Sequence, residues 1–138
     1  MITKGLVLSA QITDWYKLRE LLYVFMTELG ISLDIINRVM IASEEIFVNI
    51  SHYAYPDSLG EVSVNMEYFP EEKLFKVKFT DSGVPFDPTA VKEPDVTQKV
   101  GDRKIGGLGI FMVNKIMDSM EYKYSEGKNN LVLIKTTR

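Results

Sequence analysis

Val62, Val64, Met66 and Tyr68 alternate with polar neighbours, Pro70-Glu-Glu-Lys73 turns the chain, and Phe75, Val77 and Phe79 alternate again up to Thr80. Two period-two runs joined by so short a turn predict a β-hairpin from about Val62 that ends on Asp81, apolar on one face only. That face has to be covered, and the remaining sequence supplies helices to cover it.

Leu18, Leu21, Leu22, Phe25 and Leu29 recur at three- and four-residue intervals, predicting a helix from Trp15 to about Leu29 with Thr13-Asp14 as N-cap and Gly30 as stop. A second predicted helix, capped by Ser32 or Asp34, runs through Ile36, Val39, Met40, Ser43, Phe47 and Ile50 and ends near Tyr55-Pro56. Residues 5 to 12 are β-rich, and Asp57-Ser-Leu-Gly60 forms a turn. A third helix is expected from Gly106 to about Met117, then strands near Met120 to Ser125 and Leu131 to Thr136 about a Glu126-Gly-Lys-Asn-Asn130 turn. The expected architecture is α+β, a two-layer sandwich with a mixed, mainly antiparallel sheet and helices on one face.

The 138 residues suit one domain spanning 1–138. A net charge of -3 gives no broad basic field, so direct nucleic-acid binding is not expected. With no cysteine, disulfides, thiolate metal sites and a cysteine nucleophile are excluded. The apolar stretch from Ile105 to Val113 is shorter than the roughly 18 to 20 residues that span a bilayer, and the N-terminus lacks a secretory core. A cytoplasmic protein without membrane attachment is the expectation.

Three segments carry chemistry. On the second helix Glu45 and Asn49 share a face, four residues apart, with His52 and Tyr53 one turn further on. An asparagine carbonyl is a suitable hard ligand for Mg²⁺, and a glutamate one turn away can orient or deprotonate a nucleophile aimed at a γ-phosphate. His52 and Tyr53 can then reach phosphate and base. In isolation the same pattern also describes the solvated face of an amphipathic helix. Asp81-Ser-Gly-Val-Pro-Phe-Asp-Pro88 follows a strand, so an acceptor-only carboxylate stands where the chain leaves the sheet, matched to an exocyclic amine such as that of adenine. Gly83 lets a ring approach the backbone and Phe86 can line the pocket, although the same residues are also turn formers. Gly106-Gly-Leu-Gly109 opens a helix, exposing backbone N–H groups to phosphate oxygens, with Arg103 and Lys104 just upstream. It matches neither the Walker loop nor the dinucleotide fingerprint. Residues 82 to 105 between these segments lack any period and hold three of the five prolines, the pattern of a functional or mobile loop.

In this order the segments resemble the histidine-kinase-like ATPase superfamily, GHKL, over nearly the whole chain. Glu45 to Asn49 corresponds to its asparagine box, Asp81 to Pro88 to its first glycine box, and Gly106 to Val113 to its second. The run from Arg103 to Val113 is similar to that of bacterial anti-sigma factors of the serine-protein-kinase type. The resemblance implies ATP and Mg²⁺ between helices and sheet beneath a lid at about 88–105. It implies that Asn49 holds Mg²⁺, Asp81 reads adenine and Glu45 is the catalytic base, with Arg103 or Lys104 steadying the phosphates. His52, Tyr53, Gly83, Phe86, Gly106, Gly107, Leu108 and Gly109 complete the implied nucleotide site. The implied partners are an anti-anti-sigma (STAS-like) protein carrying the substrate serine, a sigma factor sequestered by the kinase, and a second copy in a homodimer. Two departures stand out. His52 comes three residues after Asn49, the spacing of the basic residue in sensor histidine kinases, and Gly127-Lys-Asn-Asn130 stands where many relatives have Gly-Thr. The alternatives are a nucleotide-gated binding module without kinase activity and a stand-alone ATPase domain related to sensor histidine kinases.

Overall fold

The computed structural model describes residues 1–90 and 107–138. Strands β1 (Ile2–Ser9), β2 (Glu61–Phe69), β3 (Leu74–Asp81), β4 (Ser119–Ser125) and β5 (Lys128–Thr136) accompany helices α1 (Trp15–Glu28), α2 (Leu33–Tyr53) and α3 (Gly107–Ile116). The strands form one sheet in the order β1-β2-β3-β5-β4, and every neighbouring pair is antiparallel. This is the expected α+β two-layer sandwich, without the parallel pair that a mixed sheet would contain among the described strands.

One face of the sheet is a continuous apolar surface. Val62, Val64 and Met66 on β2, Phe75, Val77 and Phe79 on β3, and Leu131 and Leu133 on β5 are buried. Against them pack Leu18, Leu22, Phe25 and Met26 of α1, Ile36, Val39, Ile46 and Phe47 of α2, and Ile110 and Val113 of α3. Each such side chain contributes about 1.5–3 kcal/mol by leaving water, so this interface holds the layers together. The same alternation places Asp81 after Phe79 and Asn129 before Leu131 on the buried face, directly opposite each other across β3 and β5. The apolar rows thus end in a polar pair.

Several local expectations shift. The strand expected over residues 5 to 12 lies at Ile2–Ser9, in register from Ile2 opposite Tyr68 to Ser9 opposite Glu61. A short 3-10 turn at Ile12–Asp14 occupies the rest of that segment. Asp14 stands at the start of α1 but does not cap it with its side chain, because its carboxylate accepts the Ser9 N–H at 2.9 Å and pairs with Lys17 at 3.3 Å. Ser32 caps α2, accepting from the Ile35 N–H at 3.4 Å, while Asp34 pairs with Arg38 at 3.3 Å. The last hairpin turns on Glu126 and Gly127 alone, at φ 55° and 75°, the left-handed pair that a two-residue hairpin requires. Asn129 and Asn130 therefore belong to β5 rather than to the turn.

Pro88–Ala90 is a 3-10 turn. The remainder of the expected lid, residues 91 to 105, lies outside the described residues. No described helix is long and apolar enough to cross a membrane.

Candidate functional site

The candidate residues fall in two groups, one where β3 and β5 meet the end of α2 and one where α2 meets the beginning of α3. Asp81 is buried, and its Oδ1 accepts the Gly83 N–H at 2.9 Å and the Asn129 amide at 2.9 Å. No described residue donates to its Oδ2. The loop after Asp81 folds tightly onto the last residues of α2. A Cβ on Gly83 would come within 2.3 Å of the Ala54 carbonyl oxygen, and the Val84 N–H donates to that oxygen at 2.8 Å. Only glycine permits this approach.

Tyr55 pins the same loop from below. Its Oη accepts the Ser82 N–H at 2.8 Å and donates to the Glu61 carbonyl at 2.6 Å. Burial raises the phenol above its ordinary value, the charges of Asp81 and Glu61 add to this, and the Ser82 N–H opposes it. The neutral hydroxyl that can donate to Glu61 is thereby favoured.

Asn129 closes the arrangement from β5. Besides Asp81, its Nδ2 donates to the Val84 carbonyl at 3.1 Å and lies 3.4 Å from that of Gly83. Its Oδ1 accepts the Phe86 N–H at 3.1 Å and the Tyr122 hydroxyl. Burial, together with Asp87 and Asp81, raises the Tyr122 phenol, against the Phe86 N–H, which lowers it. Phe86 is 53% exposed.

On α2, Glu45 is half-buried and rests against the first turn of α3. A Cβ on Gly109 would lie 2.2 Å from Glu45 Oε2, so the carboxylate fills the space that this glycine leaves. The asparagine and second glycine boxes are thus in direct contact. One turn on, Asn49 is half-buried, with its Nδ2 enclosed and without an acceptor among the described residues. A buried donor left unpaired costs about 1–3 kcal/mol, a cost that an acceptor on a ligand would remove. The buried Ser43 hydroxyl also lacks a partner among the described residues, and nothing described accounts for it. His52 and Tyr53 are exposed and meet edge to face with ring centres 5.8 Å apart. His52 also borders a groove of about 450 Å³ with Gln11, Thr13, Ser51, Tyr55 and Ser58, a lining that contains neither Glu45, Asn49 nor Asp81.

The far end of α3 is fastened to β5. Lys135 Nζ donates to the Ile116 carbonyl at 2.7 Å and pairs with Asp118 at 3.5 Å, and Asp118 also accepts the Thr136 N–H. Burial opposes the Asp118 charge, but these partners outweigh it and hold the carboxyl below its ordinary value.

Arg103, Lys104 and Gly106 lie outside the described residues, and Gly107 and Leu108 enter as the opening backbone of α3. Asn129, Tyr55 and Tyr122 are the site residues that sequence reasoning missed. The period-two spacing of Asn129, Leu131 and Leu133 was the available signal for the first. An acceptor-only carboxylate at a strand end, a glycine-floored loop and an enclosed amide without an acceptor among the described residues suit a purine nucleotide with its phosphates.

The family model described as "Histidine kinase-like ATPase domain" matches residues 8–135. The chain is similar to the serine-protein kinase RsbW of Bacillus cereus strain G9842, 29% identical over 108 residues, covering 75% of this chain and 66% of that protein. It is also similar to the RsbW of Halalkalibacterium halodurans, 33% identical over 103 residues, covering 72% of this chain and 62% of the relative. The match therefore spans just under two thirds of these relatives' length. A crystal structure of the RsbU and RsbW domains of Rv1364c from Mycobacterium tuberculosis shares the fold, with a TM-score of 0.70 at 15% identity, covering 98% of this chain and 32% of that one. The chain belongs to the histidine kinase-like ATPase domain family.

Proposed function

We propose that this protein is a serine-protein kinase that uses Mg-ATP to phosphorylate an anti-anti-sigma protein and that sequesters a sigma factor when its partner is phosphorylated. The observation that carries the reading is the seating of Glu45 against Gly109, which sets a carboxylate at the opening turn of α3, one helical turn from the Asn49 amide, whose Nδ2 has no acceptor among the described residues. Bound Mg-ATP would supply the transferable phosphoryl group, with ADP as the leaving group.

This chain's residues divide the remaining work. Asp81 accepts from the base through the oxygen that Asn129 and Gly83 leave unused, and Phe86 lies along the ring. Asn49 would hold Mg²⁺ through its carbonyl, and the N–H groups opening α3 from Gly107 to Gly109 would hold phosphate oxygens together with the preceding Gly106, with Arg103, Lys104 and His52 adding positive charge. Tyr53 borders the base end. Glu45 takes the proton from the seryl hydroxyl as that oxygen gains the phosphoryl group, a step in which general bases contribute about 10²–10⁴-fold. Residues 88–105 act as the lid of a single domain. The same reading gives a cytoplasmic protein, acting as a homodimer.

A second reading is favoured by the same contact. A carboxylate lodged at the start of α3 can also serve to dock that helix, making the chain a nucleotide-gated binding module that orders its lid without phosphotransfer. Incubation with Mg²⁺, radiolabelled ATP and candidate anti-anti-sigma proteins separates the two. Label on a partner serine supports the kinase, whereas ATP binding with no label on any candidate supports the module.

A further inference from the structure

Asn129 stands at the start of β5, directly opposite Asp81. Its amide is fully used within the protein. Both N–H bonds point at acceptors, Asp81 Oδ1 on one side and the Val84 and Gly83 carbonyls on the other, and its oxygen receives the Phe86 N–H and the Tyr122 hydroxyl. The reversed amide would set its oxygen against a carboxylate and two carbonyls, so the network fixes the orientation. A side chain so engaged has nothing left to offer a ligand. It acts on Asp81 instead.

We infer that Asn129 is a positioning residue that sets base specificity by occupying Asp81 Oδ1 and presenting Oδ2 alone to the bound base. This rests on the nucleotide reading of the site. Oδ1 takes two donors at 2.9 Å, from Gly83 and Asn129. The carboxylate is thereby held in one rotation, opposite Asn129 in the β3–β5 register. Held so, an acceptor-only oxygen rewards a base edge that carries an amine and gains nothing from one that lacks it. The Phe86 N–H on the same amide oxygen couples this acceptor to the ring next to it, so one residue of β5 sets both base contacts. Without Asn129 the carboxylate retains, among the described residues, only the Gly83 N–H and can turn to meet water.

The test compares ATP with purine riboside triphosphate, which lacks the exocyclic amine, by calorimetric titration of the whole chain. Loss of a charge-assisted hydrogen bond predicts that the wild-type protein prefers ATP by about 10–100-fold. Asn129→Ala should weaken ATP by about tenfold and the amine-free nucleotide by less than about twofold, narrowing the preference. Tyr122→Phe, which keeps Asn129 but removes one of its donors, should narrow it in the same direction by about threefold and serves if Asn129→Ala does not fold. Equal weakening of both nucleotides by either folded variant, or an unchanged preference, overturns the inference while leaving nucleotide binding intact. A wild-type protein that binds neither nucleotide overturns the nucleotide reading and this inference with it.

Discussion

Glu45 and Gly109 occupy one another's space: the Oε2 of the first lies 2.2 Å from where a Cβ of the second would stand. Two segments more than sixty residues apart in the chain thereby become one wall of the site. Gly109→Ala should turn the Glu45 carboxylate out of place. The obstructing atom is the end of a flexible side chain, and alanine gains about 1 kcal/mol over glycine in a helix, so thermal stability should change little. Phosphotransfer should fall at least about tenfold, since small displacements of a reacting group are costly. Equal activity of the variant in a labelled-ATP assay would show that the contact has no catalytic consequence.

Tyr55→Phe removes the hydroxyl that joins the Ser82 N–H to the Glu61 carbonyl and keeps the ring against Gly60. Urea denaturation should show a loss of about 1 kcal/mol, the net worth of a hydrogen bond. ATP should bind about three- to tenfold more weakly, because the loop carrying Gly83 loses one of its anchors. A stability loss with unchanged ATP affinity would confine Tyr55 to the scaffold.

Asp118 supplies a pH signature. Its carboxyl is held below the ordinary value in the folded chain, so the stability it contributes is present above the unfolded value of about 3.9 and is lost as pH falls through the lower folded value. Asp118→Asn should therefore melt below the wild type at neutral pH, and the gap should close as the solution is taken below about pH 4. Circular-dichroism melts between pH 7 and pH 3 measure this, and a gap constant across the range would contradict it.

Much of the fold was legible because its elements obey their own periods. The alternation of Val62, Val64, Met66 and Tyr68 against Phe75, Val77 and Phe79 marks β2 and β3, and Leu18, Leu22 and Phe25 mark the buried stripe of α1. The elements that shifted are those decided by tertiary pairing. Paired asparagines after Gly127 read locally as turn formers, yet pairing of Asp81 with Asn129 draws both into β5. Asp14 reads as a cap, yet the Ser9 N–H claims its carboxylate. The motif residues Glu45, Asn49, Asp81, Gly83 and Gly109 were visible as residue types. The brace of Asn129, Tyr55 and Tyr122 was not, since it exists only once β4 and β5 and the end of α2 converge on Asp81.

The role of Glu45 is tested most directly by Glu45→Gln, which keeps the shape against Gly109 and removes the base. Transfer of label from ATP to the serine of an anti-anti-sigma partner would be followed for wild type and variant at saturating nucleotide, with ATP affinity measured in parallel. Proton abstraction by Glu45 predicts a fall of about 10²–10⁴-fold in transfer with affinity changed less than about twofold. Transfer by the variant at the wild-type rate would contradict it.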